Sequence, residues 1–408
     1  MNLRSRLVPL TRPGPLEILL YIGAASSLTY AIVTAHERSI DLHLFYNEAL
    51  ALTSRDYTVH ATLYPPYARI LFLPLAAFSF DWLVYGWLVL QLGMMVGIFY
   101  LAIKLWGENW SARAVLFFCS YVCMWAPVRV ELRNGQIASL ILLILLGALL
   151  AASRDPIFAG VLLGIALCKY SLTYPFFLYS LWKRNWKTVA AALSIPLILS
   201  AVFLLMTGIS PIAATAEYLK STRDVYSTDV VSGSTEIKLL LMSFTANNQT
   251  AASVISVVLA IIGLAAIVMV IRRSKENEPE HLAVLALFAL WTVYHRIYDV
   301  VLCIVPAAIM IRFYLRGTHR RFAIFWLCAL AVLVADPPGV LADRFGFSVE
   351  ALNSSLAGWL GLNIERIVVF TMFWSMIVLL WKDTRAAPKL AKVRSETAEP
   401  IGGTHSTL

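Results

Sequence analysis

Long apolar runs recur along the whole chain, and they constrain its fold more strongly than any motif. The hydrocarbon core of a bilayer is about 30 Å thick, which a helix of roughly 20 apolar residues crosses. The sequence offers ten such windows, near 16–35, 82–103, 112–129, 137–153, 188–207, 250–271, 279–294, 299–315, 321–336 and 365–381. Charged residues make up only 14% of the chain, against about 25% in soluble domains. We therefore predict an all-α polytopic membrane protein.

The stretch 157–182 is also apolar, but it contains Lys169 and Pro175 near its middle. A charge and a proline interrupt a straight helix, and discontinuous segments of this kind often line a buried site. We predict two short halves that are joined on the outer side. Counted as two crossings, these halves bring the total to about 12 transmembrane helices and place both termini on one side.

The net charge of +9 would suit a nucleic-acid-binding protein, but the basic residues cluster in short connections between apolar runs. Examples are the connections at 104–113, 183–187 and 272–275. Short loops rich in Lys and Arg mark the cytoplasmic side of a membrane protein. We therefore predict cytoplasmic termini, a plasma (inner) membrane location and no nucleic-acid partner. The outer side then holds the long connections 36–81, 208–249 and 337–364.

We divide the chain into a transmembrane domain, residues 1–381, and a polar cytoplasmic tail, residues 382–408, which we predict to be disordered. In the first outer connection, which belongs to the domain, the apolar stretch Ile70–Phe80 is too short to span the bilayer. We expect it to form a helix that lies in the membrane interface. The five cysteines lie in or beside apolar runs, where we expect core residues and neither disulfides nor a metal site.

Asp41 follows the first predicted span by a few residues and has His43, Phe45 and Tyr46 as neighbours. A carboxylate near the membrane surface among apolar groups has a raised pKa unless a cation offsets it, which suits a general base. The alternative is an ordinary solvated aspartate in a loop. Asp41 is nevertheless our candidate base.

Three basic residues stand near the same outer surface. Arg129 and Arg133 are one helical turn apart, so that both can hold one anion. The alternative for this pair is an ion pair with Glu131 or a contact with lipid phosphate. Lys169 interrupts an apolar run, which is a functional signal by default. Its alternative is a lysine whose ammonium reaches the interface along an apolar stem.

His295 lies at the outer end of another predicted span, where it is a candidate proton donor or phosphate ligand. The alternative is an interfacial aromatic belt that includes Trp291 and Tyr294. Asn248 precedes the span that begins near residue 250. It can cap that helix or bind sugar hydroxyls, and side chains of this type commonly act as caps.

Together these residues place a carboxylate, several cations and a histidine on one side of the membrane. This combination suits the transfer of a sugar from a lipid phosphate to a hydroxyl, because the base takes the acceptor proton while cations hold the departing phosphate. The sequence contains no Walker loop and no dinucleotide-binding glycine pattern. We therefore expect a lipid-linked donor and no cofactor or metal.

Over most of residues 35–300 the chain resembles glycosyltransferase family 87, the polyprenyl-phosphate-sugar-dependent mannosyltransferases with the GT-C fold. The segments that carry the resemblance are 41–46, 64–66, 134–136, 159–164 with Lys169, 248–250 and 291–295. The chain departs from the family pattern at Tyr294-His295-Arg296, where relatives carry a paired histidine. It also lacks a glycine-rich turn at residues 53–56. These departures bear on the acceptor and leave the fold unchanged.

The resemblance implies a catalytic base and two sets of ligands. The base is Asp41. The donor phosphate contacts are Lys169, His295, Arg129 and Arg133. The substrate contacts are His43, Tyr46, Tyr64, Gln136 and Asn248.

We expect mannose as the sugar, inversion to an α-linked product, and a glycolipid or glycan hydroxyl as the acceptor on the outer face. Arabinofuranose is the alternative sugar, because relatives transfer either one. Two other functions stay open. A transporter or flippase for lipid-linked sugars would need polar residues at mid-membrane depth and repeat symmetry. A polysaccharide polymerase or ligase would favour a large, arginine-rich outer loop.

Overall fold

A computed structural model describes residues 13–54, 64–108, 110–228, 235–245, 247–273, 278–335 and 355–397. Within these residues all regular secondary structure is helical. The α-helices are α1 (Pro15–Arg38), α2 (Ile40–Ser54), α3 (Arg69–Phe72), α4 (Phe80–Trp106), α5 (Ala112–Cys123), α6 (Ala126–Asn134), α7 (Ala138–Ala151), α8 (Pro156–Ala166), α9 (Tyr170–Trp182), α10 (Trp186–Thr207), α11 (Pro211–Thr228), α12 (Ile237–Phe244), α13 (Gln249–Arg273), α14 (Glu278–Thr292), α15 (Ile304–Arg316), α16 (Arg320–Leu330), α17 (Val332–Ala335) and α18 (Leu356–Thr397). Short 3-10 turns occupy Pro66–Ala68, Leu73–Ala77, Leu167–Lys169 and Ile297–Cys303.

The described helices confirm an all-α polytopic membrane protein. By length and composition, 7 helical stretches can cross a bilayer, or up to 8 if the bent pair α5 and α6 forms one span. The bend between α5 and α6 is 61°. Each of the ten apolar windows of the sequence coincides with a helix or a broken helix pair in the described residues, although α7 and α14 are short.

The alternating helix directions give the bundle two different ends. One end carries Lys104, Arg113, Lys183, Arg272 and Arg316 at the starts or ends of their helices, and we call it the basic end. Asp41, Gln136 and Asp299 lie towards the other end, the cavity end. The basic residues therefore separate from the candidate site, as the sequence predicts.

The segment 156–182 reverses direction at its middle. α8 runs parallel to α10, because the Thr188 hydroxyl donates to the Pro156 carbonyl at 2.9 Å and Gly164 lies against Ala192. At the turn the Thr173 hydroxyl donates to the Ala166 carbonyl at 2.8 Å. Residues seven apart in a continuous helix are separated by about 10 Å along its axis, so this contact requires a fold-back. The prediction of two short halves is confirmed.

Both halves are short for a membrane crossing. α8 has 11 residues and α9 has 13, so that each half is about 16–20 Å long and shorter than a bilayer core of about 30 Å. α8 begins and α9 ends at the basic end. The pair is therefore a hairpin with both ends at the basic end and its apex at the cavity end, and its count as two crossings stays a prediction. Its apex, at Lys169, carries the only basic residue of the hairpin.

A layer of shorter helices covers the cavity end. α2 buries Leu42, Phe45, Ala49 and Leu52, which lie on one helical face. Phe45 stacks on Phe72 of α3 with ring centroids 4.5 Å apart. The interfacial stretch predicted after Pro66 is helical through Ala77 and packs against α2.

A buried ion pair fixes this layer. The Arg69 guanidinium donates to the Glu48 carboxylate, and both side chains are almost fully shielded from solvent. Breaking one partner of a buried pair destabilises a fold by about 3–5 kcal/mol. The orientation of α2, and with it the position of Asp41, therefore depends on this contact.

At the other extreme of the chain, α18 continues as helix through Thr397. α18 therefore includes residues 382–397 of the tail that the sequence predicts, and the disorder of this tail stays a prediction. Residues 398–408 lie outside the described part of the chain.

Candidate active site

The turn between α6 and α7 brings the first outer helix to the site. Gly135 has φ +69°, and a Cβ at this position would lie 2.5 Å from Cβ of Leu42. Only glycine combines this left-handed backbone with so close an approach. The Gln91 amide of α4 donates to the carbonyls of Glu131 (3.1 Å) and Gln136 (2.9 Å), which holds the turn from below. This arrangement explains the Asn134-Gly135-Gln136 motif.

Asp41 lies in the first turn of α2, beside that turn, and is half-buried. Burial raises the pKa of its carboxyl above the ordinary value, while the Gln136 amide and the charges of Arg296 and Lys169 lower it in part. The raised pKa that the sequence predicts is thus confirmed. A carboxylate in this environment can accept a proton from a substrate hydroxyl.

Lys169 lies at the apex of the hairpin and is buried. Its ammonium nitrogen is 2.5 Å from Oδ1 of Asp299. The rings of Tyr298 and Tyr64 flank the ammonium at 4.8 and 5.9 Å from their centroids. A carboxylate and two aromatic faces therefore stabilise a buried positive charge.

His295 lies behind Lys169 and is fully shielded from solvent. Its Nδ1 faces Oδ2 of Asp299 at 3.2 Å, and its Nε2 faces the Ala289 carbonyl at 3.0 Å. The Asp299 carboxylate therefore contacts both the Lys169 ammonium and the His295 ring.

These side chains surround one cavity of about 400 Å³, within the range of sites that hold small ligands. Asp41, Lys169 and Arg296 all line this cavity. The cavity is lined by Ile40, Asp41, His43, Leu44, Asn47, Tyr64, Gln136, Cys168, Lys169, Tyr170, Ser171, Thr222, Tyr294, Arg296, Tyr298 and Asp299. The arrangement can hold a polar ligand between a proton acceptor and two cations.

Four of the predicted substrate and base residues line this cavity: Asp41, His43, Tyr64 and Gln136. Tyr64 donates from its hydroxyl to the Gln136 amide oxygen at 3.1 Å. Burial raises the pKa of Tyr64 well above its ordinary value, so that it remains a hydrogen-bond donor. Lys169 is the predicted phosphate contact that also lines the cavity.

The structure places the other predicted phosphate contacts elsewhere. Arg129 donates to the carbonyls of Met124 (2.5 Å) and Val334 (2.9 Å). The Arg133 guanidinium lies over the ring of Tyr30, 5.2 Å from its centroid. Both arginines therefore contact α1 and its neighbours and do not line this cavity, and their joint grip on one anion stays a prediction. His295 does not line the cavity either. It is fully buried, and its two ring nitrogens contact the Asp299 carboxylate and the Ala289 carbonyl.

Two predicted substrate contacts lie away from the cavity as well. Tyr46 packs on Phe80 at 5.4 Å between ring centroids. Asn248 is exposed, and its Oδ1 accepts from the backbone N–H of Ala251 at 3.0 Å. Asn248 thus caps α13, so that the capping alternative is the correct one at this position.

Sequence reasoning missed Asp299 and Arg296, although both lie in the Trp291–Asp299 segment that it singled out. The available signal is the spacing of His295 and Asp299, which are four residues apart. This spacing places two side chains on one face of a helix. The sequence does not show that Lys169 contacts Asp299, and without that contact the segment resembles an interfacial aromatic belt.

Comparisons with known proteins point the same way. The sequence model of glycosyltransferase family 87 matches residues 62–294. A stretch of 214 residues is 25% identical to the polyprenol-phosphate-mannose-dependent alpha-(1-2)-phosphatidylinositol pentamannoside mannosyltransferase of Mycolicibacterium smegmatis. This stretch covers 49% of the present chain and 50% of the relative, so the chain spans about half the length of the relative that it matches. No solved structure matches the chain.

The family match covers more than half of the chain. It includes the turn at Gln136, the hairpin with Lys169 and the helix α14 that leads to the cavity. Asp41 precedes the matched region, but the turn at Gly135 holds it against the matched part of the fold. This chain belongs to glycosyltransferase family 87.

Proposed function

We propose that the protein is a membrane glycosyltransferase that moves a sugar from a polyprenyl phosphate to a hydroxyl of a glycolipid or glycan. One observation carries the proposal: a half-buried carboxylate, Asp41, and a buried ammonium, Lys169, face the same cavity at one end of a bundle of membrane helices. The family match and the name of the bacterial relative support this class of donor.

In the proposed reaction Asp41 accepts the proton of the acceptor hydroxyl as its oxygen attacks the anomeric carbon. The bond from that carbon to the phosphate oxygen breaks, and the polyprenyl phosphate leaves with the electron pair. Lys169 and Arg296 stabilise the negative charge that develops on the phosphate. The positions of these cations are already fixed by Asp299 and by the Tyr294 hydroxyl, to which the Arg296 Nε donates at 3.2 Å.

A single direct displacement inverts the anomeric carbon. Asp299 also lines the cavity, but Lys169 and His295 engage both of its oxygens, which argues against a second role as nucleophile. From an equatorial donor bond the product is α-linked. We propose mannose as the sugar because the relative is named for a mannose donor.

The site also suits a carrier whose tail stays in the bilayer. Lys169 lies at the apex of a membrane hairpin, which lets a phosphate reach the cavity while its lipid chain lies among the helices. We place the cavity end at the outer face of the plasma membrane, because the basic end fits the cytoplasmic side.

The test is Asp41→Asn in proteoliposomes that contain labelled polyprenyl-phosphate-mannose and a glycolipid acceptor extract. Loss of a general base lowers turnover by about 10²–10⁴-fold, and we expect a loss in this range with an unchanged thermal midpoint. Asp81→Asn is the matched control, because Asp81 is exposed in the first turn of α4 and does not line the cavity. Turnover of the Asp41 variant within a few-fold of wild type rejects the assignment. Donor movement across the bilayer without product would instead indicate a flippase.

A further inference from the structure

A second cavity lies at the basic end, remote from Asp41 and Lys169. It has a volume of about 660 Å³ and opens between α9, α13 and α14. Its walls are apolar along most of their length, with Leu264 and Ile267 on one side and Phe288 at the bottom. From Arg272 to Leu264 the wall spans eight residues of α13, about 12 Å of helix. We call this cavity the basal groove.

Two arginines stand at the mouth of the basal groove. Arg272 and Arg184 line it and are exposed. The Arg272 guanidinium lies over the ring of Trp182, 4.7 Å from its centroid, which fixes the charge at the rim. Within the described residues, no carboxylate pairs with either arginine. The groove therefore combines a positive rim with an apolar interior.

The backbone at Arg184 gives an independent indication of function. Arg184 has φ +56°, the left-handed region that glycine usually occupies. It terminates α9 in a turn in which the Asn185 N–H donates to the Ser180 carbonyl at 3.1 Å. An L-residue is less stable than glycine in this conformation. Strained residues of this kind cluster at ligand sites. An arginine in place of glycine therefore suggests that the positive charge has a role in binding a ligand.

We propose that the basal groove binds an anionic phospholipid, with the headgroup phosphate at Arg184 and Arg272 and an acyl chain along Leu264 and Phe288. Charge complementarity selects the ligand, since a phosphate meets two guanidiniums while the apolar walls exclude polar ligands. Basic pockets between helices on the cytoplasmic side are known to bind anionic headgroups. The phospholipid would sit in the leaflet opposite the cavity end and stabilise the base of the hairpin.

The experiment is native mass spectrometry of the full chain in detergent, titrated separately with dioleoyl phosphatidylglycerol and dioleoyl phosphatidylcholine. We expect one retained phosphatidylglycerol at concentrations where phosphatidylcholine does not bind. Each arginine contributes about fivefold to affinity, so Arg184→Gly should weaken binding about fivefold and the double variant with Arg272→Gln about 30-fold. Arg316→Gln is the control, because Arg316 is exposed at the basic end and does not line the groove.

Arg184→Gly separates a ligand role from a structural one. Glycine relieves the left-handed backbone, so the thermal midpoint without added phosphatidylglycerol should be equal to or higher than that of wild type. Leu264→Trp is a second variant that fills the groove and should also reduce binding with both arginines present. Equal binding of the two lipids, or unchanged phosphatidylglycerol binding in Arg184→Gly, overturns the proposal. Displacement of phosphatidylglycerol by a lower concentration of polyprenyl phosphate overturns it in favour of the carrier lipid.

Discussion

Replacing Asp299 by asparagine tests the electrostatic centre of the proposed site. Asp299 is buried, and its two oxygens contact Lys169 at 2.5 Å and His295 at 3.2 Å. Asparagine has nearly the same shape but no charge. The substitution therefore leaves the buried Lys169 ammonium without its anion, while the packing around it changes little.

The structure sets the size of the expected effect. Removing one partner of a buried pair destabilises proteins by about 3–5 kcal/mol, because the remaining charge is desolvated without compensation. Since the Lys169 ammonium that remains is buried, we expect a value of about 4 kcal/mol. For a chain of 408 residues this corresponds to a fall in the thermal midpoint on the order of 5 °C.

The assay is the thermal midpoint of wild type, Asp299→Asn, Lys169→Met and the double variant in the same detergent. Removing Lys169 from the Asp299 variant removes the unpaired cation, so the double variant should be more stable than Asp299→Asn alone. A coupling of at least about 1 kcal/mol is the mark of a direct contact. If Asp299→Asn unfolds within about 1 °C of wild type, or if the two effects simply add, the proposed charge balance is wrong.

Two further predictions concern the proposed base. Arg296→Gln removes a cation that lowers the pKa of Asp41. Since activity is lost as pH falls through that pKa, the acid limb of the pH–rate profile should move to higher pH. An unmoved limb would show that Asp41 does not sense Arg296. Gly135→Ala places a Cβ 2.5 Å from Leu42, which should separate Asp41 from Gln136 and lower kcat by at least about tenfold; unchanged turnover would show that this contact does not position Asp41.

The spans could be predicted because each depends on a local property, the length of an apolar window. How far each helix extends into the bilayer, and where it turns back, could not be predicted. The two halves of 156–182 follow from Lys169 and Pro175, but only their packing on α10 and α14 shows that they form a hairpin. The direction in which a helix returns depends on neighbours that lie far away in sequence.

The candidate site was partly accessible for the same reason. Asp41, Lys169 and Gln136 stand out because their chemistry conflicts with apolar surroundings. Arg129 and Arg133 satisfy the one-turn spacing of an anion site, yet they contact α1 and α17, because spacing does not specify which face of a helix turns to the cavity. Asp299 gains its role from a lysine that is 130 residues earlier in the chain.

The contact between α8 and α10 gives the hairpin a mechanical property. A Cβ on Gly160 would lie 2.5 Å from the Thr188 carbonyl oxygen, and one on Gly164 would lie 2.7 Å from that of Ala192. An added methyl group would push α8 away by about 1 Å to reach ordinary contact distance. Because the hairpin ends in Lys169, the two glycines act as a spacer that sets the gap between the ammonium and the opposite wall. A misplacement of about 1 Å can lower a rate by about 10²-fold. The reach of this site across a substrate is thus set by the packing of α8 on α10, where no reacting atom lies.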